Sequence, residues 1–244
     1  MTTEGRVTLG SRVRGQLNRV VVVAGLLVLL PAVCVVERLH RGSGRRLARW
    51  GASVGATACG VHFEVHGIPS PGAGSSIVVA NHSSPMDIAV LLWADPAVQF
   101  MAAADLFRVP LLASAMRALD TVPIDRRDHD RAQRQLDDLI NTRQGRDPGD
   151  VAVFAEGAIA PSGGRLPFKS GAFSLAIRTG SQVVPVAITG SDTVLRPRGR
   201  LLVRPGVVTI EFLPPVPTTG LTVDDRHALR DLVESAVLDA LRVA

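Results

Sequence analysis

The stretch IVVANHSSPMDIAVLL, from Ile77 to Leu92, decides the fold. Its first four residues are apolar and β-branched or small and read as a buried strand. The polar turn Asn81-His82-Ser83-Ser84 ends that strand, and a helical pattern begins at once. Ser84 can cap this helix, Pro85 suits its first position, and Asp87 falls three residues after the cap. Ser-x-x-Asp is a capping box, so capping alone would explain Asp87. Asn81 and His82 need another explanation. A histidine at the carboxyl end of a strand stands where α/β sheets place their ligands. A carboxylate five residues on can orient the imidazole and stabilise its cation, which makes His82 with Asp87 a candidate general base.

Working outward, short apolar runs alternate with helical patterns, as in an α/β layer fold. Strands are expected at Ser76 to Ala80, Val98 to Ala102, Val151 to Phe154 and Val183 to Ile188, with two more at Leu201 to Arg204 and Val207 to Phe212. Helices are expected at Pro85 to Trp93, Pro110 to Leu119, His129 to Asn141 and Ser170 to Thr179. A last helix starts near Thr222, with Asp224 and Asp225 in its first turn and a core-facing stripe of Leu229, Leu232, Val233, Val237 and Leu241.

The chain has 244 residues, 46% hydrophobic and 20% charged, which excludes a disordered or collagen-like chain and is too short for a multi-domain enzyme. The net charge is +5, and 27 basic residues include a single lysine, Lys169. Arginine therefore supplies the positive charge and suits phosphates and carboxylates, although a GC-rich genome would leave the same bias. Two cysteines, Cys34 and Cys59, make no disulfide framework and fit a reducing compartment.

Val20 to Val36, VVVVAGLLVLLPAVCVV, carries no charge and is bracketed by Arg12, Arg14 and Arg19 before and Arg38 and Arg41 after. As a helix it is about 26 Å long, just short of a hydrocarbon core of about 30 Å. Pro31 is expected to kink or split it, leaving a tight span and an embedded hairpin both open. The basic leader could also belong to a signal peptide, but no small-residue cleavage site follows, so a retained anchor is expected. Residues 37 to 60 suit a helix on anionic head groups with Trp50 at the interface, or a plain surface helix. The expected division is an anchor and interfacial helix over 1–60 and a catalytic domain over 61–244.

Four blocks occur in a recognisable order: NHSSPMD at Asn81 to Asp87, VPIDR at Val122 to Arg126, FAEG with GRLPFKSGAF between Phe154 and Phe173, and VVPVAI at Val183 to Ile188. Together they resemble the bacterial 1-acyl-glycerol-3-phosphate acyltransferases, over roughly residues 60 to 215. The resemblance implies the glycerolipid acyltransferase fold, a mixed, largely parallel sheet flanked by helices behind an amino-terminal apolar membrane anchor. It implies a catalytic domain on the cytoplasmic side of the cell membrane. The implied reaction moves a fatty acyl group from acyl-CoA or acyl carrier protein to the free hydroxyl of a lyso-lipid. No cofactor, metal or nucleic acid enters it.

By this resemblance His82 and Asp87 are catalytic, and Asn81, Ser83, Arg126, Glu156, Gly157 and Lys169 bind substrate, Arg126 by a forked contact to phosphate. Backbone amides of Ser83 or Ser84 are expected to stabilise the oxyanion. The family's F-P-E-G-T-R-S reads FAEGAIA here, so Ala155, Ala158, Ile159 and Ala160 remove a proline, two hydroxyls and an arginine. A basic position before the Leu-Phe pair is likewise replaced, by Ala103 or Ala104. Lysophosphatidic acid is the default acceptor, and these losses leave a lyso-ornithine lipid or a head-group-bearing lysophospholipid as the alternative. His62 and His66 lie on a strand pattern, where i and i+4 side chains are about 13 Å apart, and do not make a metal pair.

Overall fold

The computed structural model describes residues 9–69, 76–95, 98–125, 135, 150–160, 164–196 and 202–243. Among these, seven strands form one sheet in the order β1-β7-β6-β2-β5-β3-β4. They are β1 Val61–His66, β2 Ser76–Ala80, β3 Gln99–Ala103, β4 Val122–Ile124, β5 Val151–Phe154, β6 Gln182–Thr189 and β7 Gly206–Phe212. Every pairing is parallel except β6 with β7. The expected mixed, largely parallel sheet is thus the one observed. The carboxyl ends of β2, β3, β4, β5 and β6 share one edge.

Parallel strands need both faces covered, and β2 is buried at all five positions. The two-residue period of the strand sends Val78 and Ala80 to one face and Ile77 and Val79 to the other. The first face is covered by α1 Leu9–Leu39, α2 Ser43–Ala58 and α3 Met86–Ala94. The second packs against α5 Gly171–Thr179 and α7 Arg226–Val243 through Phe173, Leu175, Leu229, Val233 and Val237. The remaining helices are α4 Pro110–Ala118 and the short α6 Ser191–Val194. In α7 the expected stripe holds except at Leu232, which is 57% exposed. Thr222 and Asp225 form the capping box ahead of it, and the Thr222 backbone N–H, then its hydroxyl, hold the Asp225 carboxyl below its ordinary range.

Two sequence expectations change, and a third falls beyond the described residues. β4 is an additional strand, and it tolerates Pro123 because it lies at the sheet edge, where a missing N–H breaks no ladder. Of the strand expected at Leu201 to Arg204, the described residues form an isolated bridge between Leu195 and Val203. The helix expected at His129 to Asn141 lies outside the described residues, Gln135 excepted.

The amino-terminal segment is one helix through Pro31, so the run forms neither a split pair nor an embedded hairpin. Packing on both sides of the proline holds it: Leu29 lies against Gly51, and Val33 is buried with its carbonyl near Gly44. A Cβ at Gly51 would collide with the Leu29 side chain, so small residues on α2 set the close approach of the two helices. Gly51→Val is therefore expected to destabilise the protein by about 1–3 kcal/mol, seen as a lower Tm in detergent micelles. An unchanged Tm would show that the helices do not pack this closely. Asn18 of α1 donates to the carbonyls of Cys59 and Val203, so α1 is hydrogen-bonded to chain beyond α2. By length and composition Gln16–Leu39 can cross a membrane, and 6% of its most apolar window is buried in the protein. α2 lies within the stretch expected to form an interfacial or plain surface helix, and Trp50 is exposed. Both thiols are free, and burial pushes the Cys59 thiol up.

Candidate active site

β2 is the central strand whose neighbours β5 and β6 run beside it in the same direction, so the turn after β2 opens at the carboxyl edge between them. Asn81 fastens this turn. Its amide donates to the Ile188 carbonyl at 2.9 Å and its side-chain oxygen accepts from the Ile188 N–H at 2.8 Å, continuing the ladder to β6 beyond the last residue of the strand. Ser84 fastens the other side, its hydroxyl donating to the Leu195 carbonyl at 2.7 Å and accepting from the Met86 N–H at 3.1 Å.

Asp87, in the first turn of α3, is fully buried. Its Oδ2 accepts the backbone N–H groups of Ser83 and Ser84, each at 2.8 Å, and meets Nδ1 of His82 at 2.9 Å. Capping and imidazole orientation are therefore carried by the same oxygen. Because an ionised carboxylate can only accept, Nδ1 carries the hydrogen and Nε2 presents a lone pair. The imidazole lies against the Phe154 ring, centroids 4.1 Å apart and planes 16° from parallel, and its side chain is 14% exposed. Such a ring is held in one orientation while part of its side chain stays open to solvent.

This geometry corrects the expected oxyanion donors. The N–H groups of Ser83 and Ser84 point into the turn at Asp87, not outward. The Ser83 hydroxyl is paired with that of Ser191, at the start of α6, at 3.0 Å.

Glu156 follows β5 and is buried. Its Oε1 accepts the His82 N–H and its Oε2 the Leu166 N–H, both at 2.8 Å. Both oxygens thus brace backbone, tying the histidine turn to the segment that carries Lys169. Glu156→Ala would leave two N–H groups without their partner, at about 1–3 kcal/mol each, and would free the turn. The expected result is a lower Tm together with a reduced kcat. Loss of Tm with full kcat per folded molecule would show that the brace does not serve His82.

Gly157 has φ 75°, and a Cβ there would stand 2.9 Å from Nζ of Lys169, so the exposed lysine lies over the glycine turn at the same sheet edge. Ala158 is exposed, Ile159 half-buried and Ala160 buried. β4 ends at Ile124, on that edge, and Arg126 lies outside the described residues. The structure thus gathers His82, Asp87, Asn81, Ser83, Glu156, Gly157 and Lys169 at one edge. Phe154 and Ser191 were missed in the sequence reading. A phenylalanine ending a buried strand reads as core, and a serine after Gly190 carries no signal of its own.

The sequence matches the acyltransferase family model over residues 62–189. It is 31% identical over 185 residues to the human 1-acyl-sn-glycerol-3-phosphate acyltransferase alpha, covering 75% of this chain and 65% of the relative. It is 29% identical over 183 residues to the 1-acyl-sn-glycerol-3-phosphate acyltransferase of Limnanthes douglasii, covering 72% of this chain and 64% of the relative. The chain thus spans just under two thirds of the length of these curated relatives. The fold matches the crystal structure of the 1-acyl-sn-glycerophosphate (LPA) acyltransferase PlsC from Thermotoga maritima with a TM-score of 0.77 and 27% identity, covering 95% of this chain and 96% of that one. The family match runs over more than half of the chain and encloses His82, Asp87, Glu156 and Lys169: the chain belongs to the acyltransferase family.

Proposed function

We propose that this protein is a membrane-bound O-acyltransferase that moves a fatty acyl chain from an acyl thioester to the free hydroxyl of 1-acyl-glycerol-3-phosphate, forming phosphatidic acid for phospholipid synthesis. The observation that carries this reading is the 2.9 Å contact between His82 Nδ1 and Asp87 Oδ2, which leaves Nε2 as the base. Nε2 takes the proton of the acceptor hydroxyl as its oxygen attacks the thioester carbonyl. The carbon–sulfur bond then breaks, and the departing thiolate recovers the proton from the imidazolium, whose charge Asp87 stabilises. Transfer is direct, from acyl-CoA or acyl carrier protein, and needs no covalent acyl-enzyme and no cofactor.

The names of the relatives support 1-acyl-glycerol-3-phosphate as acceptor. Lys169, over Gly157, and Arg126 are the cations we assign to its phosphate. The apolar Gln16–Leu39 helix supports an anchor in the cell membrane, where the acceptor resides. We place the catalytic sheet on the cytoplasmic side, in keeping with two free thiols and a thioester donor.

Ala158, Ile159 and Ala160 favour a second reading, in which the acceptor is a lyso-ornithine lipid or a lysophospholipid bearing a head group. Purified protein with labelled acyl-CoA or acyl carrier protein and a panel of lyso-lipids separates the two. The expected result is at least a tenfold preference in kcat/KM for 1-acyl-glycerol-3-phosphate. An equal or reversed preference would move the assignment to the other acceptor, and no transfer to any acceptor would overturn both.

A further inference from the structure

We propose that the groove between α2 and the carboxyl end of α3 is a second lipid site, which binds the phosphate head group of an anionic phospholipid away from His82. The groove encloses about 640 Å³, and Arg45, Arg46, Arg49, Trp50, Ser53 and Trp93 line it. The α2 residues among them recur at intervals that keep them on one side of the helix.

Arg45 is committed to the protein. It donates to the carbonyls of Val98 and Leu119 and pairs with Asp120 at 3.2 Å, which fixes that end of α2 against the sheet. Arg46 and Arg49 are exposed, and neither has a carboxylate partner among the described residues. The Gly42 and Gly44 amides at the start of α2 are taken by Glu37, so the pull on an anion comes from the two guanidinium groups. Guanidinium forks match phosphate oxygens, and tryptophan suits the boundary between head groups and acyl chains.

Position favours a lipid. α2 packs along α1, whose exposed Leu26, Leu27, Val28, Val35 and Leu39 offer an apolar surface to the acyl chains of a bound lipid. Trp93 is at the far end of α3 from the His82 turn, about 10 Å along the helix from Met86. An acidic carrier protein seated here would dock at the wrong end of α3 to deliver a thioester to His82.

Trp50 and Trp93 are the two tryptophans of the chain, so intrinsic fluorescence reports on this groove alone and does not depend on acyl transfer. Full-length protein in neutral maltoside micelles would be titrated with dihexanoyl phosphatidylglycerol, dihexanoyl phosphatidylcholine, inorganic phosphate and acyl carrier protein. The expected result is a saturable emission shift with phosphatidylglycerol, with binding at least tenfold weaker for each of the other three. Arg46→Gln with Arg49→Gln should weaken that binding at least tenfold at unchanged Tm, and His82→Ala should leave it unchanged. If the double variant loses Tm, Arg46→Gln alone is read instead, with at least a threefold loss expected. Absence of a saturable shift, an equal response to any competitor, wild-type binding by the arginine variants, or loss of the shift in His82→Ala would overturn the proposal.

Discussion

His82→Ala is expected to lower kcat/KM for acyl transfer by about 10²–10⁴-fold, the range of a positioned general base. The loss should fall on kcat, because the imidazole acts on a proton that moves in the transition state. Folding should survive. The tie to Glu156 is made by the backbone N–H of residue 82, which alanine keeps, and Asp87 retains the amides of Ser83 and Ser84. What the fold loses is the contact with the Phe154 ring and the imidazole's hydrogen bond to Asp87. Steady-state kinetics beside thermal unfolding separates these effects, and wild-type kcat in a folded His82→Ala protein would remove the histidine from the chemistry.

Asp87→Asn is expected to be nearly as damaging to activity and far milder to the fold than Asp87→Ala. The asparagine oxygen can keep accepting from Ser83 and Ser84, so the turn persists. Because His82 Nδ1 meets that same oxygen, the NH2 group takes the place of Oδ1 and the imidazole keeps its acceptor. What is lost is the negative charge beside the imidazole, so the imidazolium formed when Nε2 takes the proton is no longer stabilised. The expected fall in kcat is again about 10²–10⁴-fold, with Tm close to wild type. Alanine instead leaves two amides and the imidazole unpaired in a buried turn, at about 1–3 kcal/mol each, so its Tm should drop sharply. An asparagine variant with wild-type kcat would mean that Asp87 only caps α3.

Much of the sheet was legible because its strands are buried on both faces. Ile77–Ala80 and Val151–Phe154 are apolar runs bounded by polar turns, and their ends fall where the sequence places them. The histidine turn was legible too, because Ser84, Pro85 and Asp87 mark a helix start and leave His82 over. β4 was not, since three residues with a central proline carry no strand signal until an edge position admits them. The split that Pro31 left open does not occur, for the opposite reason. Local chemistry argues for a break, while packing of Leu29 and Val33 against α2 is a tertiary contact that periodicity does not report.

The site shows the same division. That His82 and Asp87 meet could be read from spacing. That both oxygens of Glu156 hold backbone, and that Asn81 completes the ladder to Ile188, could not, because these partners lie 10, 74 and 107 residues away in the chain. The Ser83 and Ser84 amides were assigned to an oxyanion from their place at a helix start. Only the direction of the Asp87 carboxylate, which takes up both, shows what they do.

The claim on which the account stands is that His82 and Asp87 work as one unit. The most direct measurement is kcat/KM for His82→Ala, Asp87→Asn and the double variant, with labelled acyl thioester and 1-acyl-glycerol-3-phosphate. The account predicts that the double variant is no slower than His82→Ala alone, within about twofold, since the carboxylate acts through the imidazole. Losses that multiply would contradict it, because each residue would then be acting on its own.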